Sequence, residues 1–178
     1  REKKPRNNNP KIISERNADE TNKISLNDEE LNRVLGGGLV PGSIVLSGGE
    51  PGVGKSTLLL QISLSLNLKV LYVTGEESIQ QIKLRSNRLN SDSNKCYVFN
   101  ETNVESITHQ INSVNPDLII IDSIQTLHTD ILDSSPGSVS QIKESTSSFL
   151  NFAKKTNIPF IIVGHITKDG GIAGPKVL

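Results

Sequence analysis

Ser43-Ile44-Val45-Leu46-Ser47-Gly48-Gly49-Glu50-Pro51-Gly52-Val53-Gly54-Lys55-Ser56-Thr57 is the stretch from which the fold can be read. It opens as a short apolar run, passes through a glycine-rich turn and continues into residues 55–66, which carry a helical pattern. The run 43–47 is expected to be a buried strand. Gly49 to Ser56 fits G-x-x-x-x-G-K-[ST] between a strand and a helix, the context this pattern requires. Glycines let the main chain wrap closely around phosphates, and the free amides of a helix start then face the negative charge. Gly49, Glu50, Pro51, Gly52, Val53 and Gly54 form the cradle. Lys55 reaches the β- and γ-phosphates as a point charge, Ser56 offers a hydroxyl to Mg²⁺, and Thr57 is expected at the α-phosphate. The bland alternative, a mere tight turn, does not explain Lys55-Ser56 at the head of a helix.

Outward from this turn, further apolar strands are expected at 69–73, 96–99, 118–121 and 159–163. Between them lie helical patterns: Ile79, Ile82 and Leu89 on one face; Val104, Ile107 and Ile111 on another; Val139, Ile142, Phe149 and Ala153 on a third. A short helix over 27–35 has acids in its first turn and stops at Gly36-Gly37-Gly38. Strands that are apolar on both faces and alternate with helices predict an α/β fold, a mostly parallel twisted sheet covered on both sides. There is no internal repeat.

Residues 1–23 are Asn-rich, punctuated by proline and basic at the start, and read as a flexible, solvated linker; a DNA-touching basic arm is the alternative. The domain is expected to run over 24–178 and to be incomplete at its C-terminal end. A length of 178 residues is enough to bury a core without disulfides. The single cysteine excludes a disulfide framework or a cysteine-based zinc site within these boundaries, and a cytoplasmic setting is expected. No apolar run approaches the roughly 18 residues of a membrane span. The net charge of zero argues against a permanently basic nucleic-acid surface, though a few local charges could still grip DNA.

Hydrolysis at such a cradle needs two separated carboxylates. Asp122, at the end of the run 117–121, is placed to hold Mg²⁺ or its water. Glu76 and Glu77 follow the strand ending near Val73-Thr74-Gly75, one strand away, where a carboxylate can polarise the attacking water. Glu76 is the preferred base and Glu77 the alternative; an acidic first helical turn is the structural reading of both. His165 or Thr167, leaving the last strand, could sense the γ-phosphate, or His165 could be an ordinary loop histidine. His109 and His128 read as solvated. A GTPase is disfavoured: Asp122-Ser123-Ile124-Gln125 lacks the glycine of D-x-x-G, and Thr167-Lys168-Asp169 brings its aspartate one residue early for guanine. A small-molecule kinase would need an Arg-rich lid, and none is evident.

Taken together these blocks resemble the bacterial RadA/Sms DNA repair and recombination ATPases, relatives of RecA. The matching stretches are Leu31 to Gly38, Gly48 to Gln61, Tyr72 to Ser78, Gln81 to Lys83, Ile121 to Thr126, Ser135 to Val139, and Gly164 to Gly170 continuing to Ile172-Ala173-Gly174-Pro175-Lys176. The resemblance implies a RecA-like P-loop core, ATP with Mg²⁺, a homo-oligomeric ring (a hexamer) and single-stranded DNA in its channel. It implies work on recombination intermediates, including branch migration alongside RecA. By position, Lys55 and Ser56 are the P-loop pair, Asp122 the metal carboxylate and Glu76 the base, with 168–176 facing DNA or a neighbouring subunit. The family's four-cysteine zinc module, its lysine-arginine motif and its Lon-like domain are not in this sequence, so zinc is expected only upstream. A KaiC-like regulatory ATPase acting on protein partners is the competing function on the same fold.

Overall fold

The computed structural model describes residues 22–50, 52–89 and 93–165. The expected linker over 1–23 thus lies almost wholly outside the described residues, as do Pro51, Thr167 and the segment 168–176.

In chain order the elements are α1 (Glu29–Val34), β1 (Ile44–Gly49), α2 (Lys55–Ser65), β2 (Val70–Thr74), α3 (Ile79–Arg88), β3 (Cys96–Asn100), α4 (Val104–Val114), β4 (Leu118–Asp122), α5 (Val139–Thr156) and β5 (Phe160–His165). A single 3-10 turn, Ile124–Thr126, follows β4. The five strands form one sheet in the order β1-β5-β4-β2-β3, every pair parallel. Side chains alternate between its faces with period two. Val70, Tyr72, Leu118, Ile120, Ile161 and Val163 meet α2 and α3 on one side. Leu71, Val73, Ile119, Ile121, Phe160 and Ile162 meet α4 and α5 on the other. Each fully buried aliphatic of this kind contributes roughly 1.5–3 kcal/mol. On the α4/α5 side Phe149 and Phe160 stack with ring centroids 5.3 Å apart, and Phe152 meets Phe160 edge-on at 6.4 Å.

Local chemistry sets the boundaries. Asp28, Ser78, Asn103 and Ser138 each accept a hydrogen bond from an amide in the first turn of the helix they precede. Ser78 and Gln81 complete a capping box. Asn115 and Asn157 end α4 and α5 in the left-handed conformation, which asparagine tolerates better than most residues.

Two expectations about burial of the strands and helices change. The strand at 43–47 is not buried: β1 is an edge strand, and Leu46 is 50% exposed. Its apolar sequence serves one neighbour, β5, and the sequence carries no signal of which strands lie at the rim. Ile79 is likewise 53% exposed, so only Ile82 from that stripe is fully buried, with Leu89 partly so. Ile79 occupies the first helical position of α3.

The chain steps from β1 across to β2 and β3, then reverses to β4 and β5. Parallel crossovers are right-handed, so the reversal sends α2 and α5 to opposite faces. The loops leaving β1 and β4 therefore diverge, opening a crevice at the carboxyl ends of the strands.

Candidate functional site

The crevice is lined by the residues that end each strand. β1 ends at Gly49, paired in register with His165 of β5, and Thr74 of β2 pairs with Asp122 of β4. Gly49, Asp122 and His165 thus belong to one rim of the sheet, with Glu76 two residues beyond Thr74.

The glycine-rich turn between β1 and α2 holds Gly52 at φ 82° and Gly54 at φ 88°, with nothing within 4 Å of a Cβ added at either. Backbone conformation rather than crowding is what requires glycine there. Gly54 is the N-cap of α2 and has no side chain to satisfy the first amides, which leaves them for an anion. Lys55 Nζ donates to the carbonyls of Gly49 at 2.8 Å and Glu50 at 2.5 Å, folding its ammonium over the loop. Ser56 is half-buried in the first turn of α2.

Asp122 lies on the face of the sheet covered by α2, because it keeps the parity of Leu118 and Ile120. It is 7% exposed. The Tyr72 hydroxyl donates to its Oδ2 at 2.6 Å and lies 3.4 Å from the Ser56 carbonyl oxygen. The aspartate and the first turn of α2 therefore flank one hydroxyl. A hydroxyl and a single carboxylate fit Mg²⁺, which is usually held by one or two carboxylates plus substrate phosphates rather than by an all-protein cage. Among the described residues no group of three or more His, Cys, Asp or Glu gathers as such a cage.

Glu76 and Glu77 diverge. Thr74 Oγ1, buried at the end of β2, accepts from the amides of both, at 3.4 and 3.1 Å, and fixes the turn. Glu77 Oε1 then lies 2.8 Å from Arg85 Nη2, an ion pair by distance without hydrogen-bond alignment. Glu76 turns instead to the ends of β4 and β5: Ser123 Oγ donates to its Oε1 at 3.1 Å, and His165 Nε2 stands 3.6 Å away. Glu76 keeps 54% of its side chain exposed in the crevice. Gln125 Nε2 donates to the His165 carbonyl at 3.2 Å, tying β5 to the turn after β4.

His165 is the last residue of β5 rather than part of a loop. His128 is half-buried, not solvated: its main chain pairs with Thr102 and Val104, and its buried Nδ1 has no partner among the described residues. His109 is exposed on α4 as expected. The sequence reading did not select Tyr72 or Ser123. Tyr72 looked like one more strand apolar residue, and only its parity with Asp122, two residues further along the paired strand, could have flagged it.

A family model described as an AAA domain matches residues 12–171. The chain belongs to the AAA domain family. Among proteins similar to this AAA domain are the "DNA repair protein RadA" of Halalkalibacterium halodurans, 52% identical over 95% of the chain and 38% of that protein, and that of Listeria monocytogenes, 54% identical over 90% and 36%. The RadA protein of Haemophilus influenzae is 49% identical over 93% and 37%. The AAA domain thus spans between about a third and two fifths of the length of these relatives, and the resemblance first read from motifs extends along nearly the whole chain. A KaiC-like protein from the archaeon Pyrococcus horikoshii superposes with a TM-score of 0.66 at 17% identity, covering 82% of this chain and 71% of its own. That likeness bears on the fold alone, and it agrees with a RecA-like arrangement of the sheet. Among the described residues, no helix of the AAA domain is long and apolar enough to cross a membrane.

Proposed function

We propose that this chain is the ATP-hydrolysing core of a DNA-stimulated motor that acts on recombination intermediates in homologous recombination and DNA repair. One observation carries the hydrolytic half: Lys55, Asp122 and an exposed Glu76 converge on one sheet rim, with Glu77 diverted to Arg85. The RadA relatives carry the DNA half.

In this reading the main-chain N–H groups between Gly49 and Ser56, Pro51 excepted, bind the phosphates with Thr57 behind them, and Lys55 exchanges its two carbonyls for β- and γ-phosphate oxygens. Ser56 and Asp122 hold Mg²⁺, which when bound neutralises charge developing on the phosphate oxygens. Glu76 orients the attacking water and receives its proton; Ser123 and His165 hold that carboxylate in place. His165, between Glu76 and the chain that continues past β5, is placed to pass the state of the γ-phosphate onward. Single-stranded DNA, a homo-oligomeric ring such as a hexamer, cooperation with RecA and a cytoplasmic location complete the proposal. A neighbouring subunit is expected to supply a cation to the transition state, as arginine fingers do.

The test is ATP turnover with and without single-stranded DNA across a salt series. Stimulation that fades steeply with salt supports a DNA motor. Turnover indifferent to DNA in a version of full family length points to a regulatory ATPase instead.

A further inference from the structure

The sheet face under α2 and α3 is built from aliphatic residues with a single hydroxyl among its fully buried strand positions below Thr74, that of Tyr72. Tyr72 is 0% exposed in the middle of β2. A phenol so placed must find an acceptor, because a buried unpaired hydroxyl is costly. It finds Asp122 Oδ2 at 2.6 Å, and among the described residues this is the only side-chain hydrogen bond to that carboxylate. The Ser56 carbonyl, 3.4 Å away, is the second acceptor within reach of the same single proton.

We propose that Tyr72 is a positioning residue that orients Asp122 toward the divalent cation carried with the nucleotide. Phenylalanine fills nearly the same volume on this face; what tyrosine adds is one oxygen, and its two contacts are the first turn of α2 and Asp122. With Oδ2 engaged from below, the carboxylate cannot rotate freely, and its other oxygen is presented in one direction. Tyr72 acts only through Asp122, so its role depends on Asp122 being the metal carboxylate.

The experiment measures equilibrium binding of a fluorescent ATP analogue while Mg²⁺ is titrated, with a parallel series in chelator. Tyr72→Phe is expected to raise the Mg²⁺ concentration for half-saturation about tenfold, the share of one hydrogen bond to a charged group. Metal-free nucleotide binding should hardly change, while the thermal midpoint should fall modestly because buried Asp122 loses its side-chain hydrogen bond. An unchanged Mg²⁺ dependence in Tyr72→Phe, while Asp122→Asn shifts it, overturns the role of Tyr72 and leaves Asp122 standing. An unchanged dependence in Asp122→Asn removes the metal carboxylate itself. Fluorotyrosine at both tyrosines separates hydroxyl from shape. It should follow the unmodified chain, and a shift as large as that of Tyr72→Phe would trace the effect to packing and refute the hydrogen-bond account.

Discussion

Ser123 Oγ donates to Glu76 Oε1 across 3.1 Å, joining the residue after β4 to the turn after β2. Both residues stand beside Asp122, one by sequence and one through the Thr74–Asp122 register. The carboxylate proposed to handle water is thus fixed to the strand that carries the carboxylate proposed to handle metal.

Glu76→Gln should leave nucleotide affinity within about twofold and lower turnover about 10²–10⁴-fold, the usual weight of a general base. Glu77→Gln should behave differently, because its partner is Arg85. Turnover is expected to fall less than about tenfold, with some loss of thermal stability as the half-buried guanidinium loses its counter-charge. Single-turnover kinetics with both variants decide the assignment; the reverse pattern transfers the role to Glu77.

Lys55→Ala removes an ammonium held by the Gly49 and Glu50 carbonyls. Because the same donors serve phosphate oxygens, nucleotide affinity should fall about 10- to 100-fold. The unfolding midpoint of the nucleotide-free protein should shift little, since a carbonyl near the surface regains water. Fluorescent nucleotide titration and a thermal melt on one preparation separate the two effects.

Gly75 precedes Glu76, and a Cβ there would collide with Thr126 Oγ1 and lie 2.7 Å from Thr126 Cβ and 3.0 Å from Thr102 Cγ2. Gly75→Ala must therefore push the turn or the 3-10 segment aside. A stability loss of about 1–3 kcal/mol in urea is expected, as for other overpacked sites. Turnover should fall too, because Glu76 moves with the turn. In Gly75→Ala/Thr126→Gly the two losses should combine to less than their sum; strict additivity would mean that the clash is relieved elsewhere.

Much of this was legible in the chain. The glycine turn, the apolar runs and the alternation of periods specify a covered parallel sheet because each is a local consequence of backbone and solvent. Lys55, Ser56, Asp122 and Glu76 could be put forward as candidates because a triphosphate and its metal call for such groups at a helix start and at strand ends. What stayed hidden depends on contacts between distant segments. The edge position of β1 follows from strand order, which no single strand encodes. The choice between Glu76 and Glu77 turns on Arg85, eight residues beyond Glu77 and two helical turns away. The buried polar residues were missed for a related reason: Tyr72 passed as one more apolar strand residue, and Gln141 and Ser145 are polar by type although they extend the Phe149–Ala153 stripe of α5 backwards at four-residue spacing, and all three lie inside.

Gln141 offers the last test. It is 1% exposed at the start of α5, where its Oε1 accepts from the Thr129 amide at 2.8 Å. Its Nε2 faces the carbonyls of Ser134 at 2.9 Å, Leu132 at 3.1 Å and Thr129 at 3.3 Å. One amide side chain thereby satisfies a connection, residues 129–134, that has no strand to pair with. Gln141→Leu keeps the volume but leaves the Thr129 N–H buried without an acceptor, a loss of about 1–3 kcal/mol. Gln141→Glu retains that acceptor yet turns a negative charge toward three carbonyls, so it should be at least as damaging above the carboxylate's titration range. Hydrogen exchange should quicken at Thr129 and its neighbours before it does in β4. Uniform acceleration through the sheet would mean instead that Gln141 supports the whole core and not this connection alone.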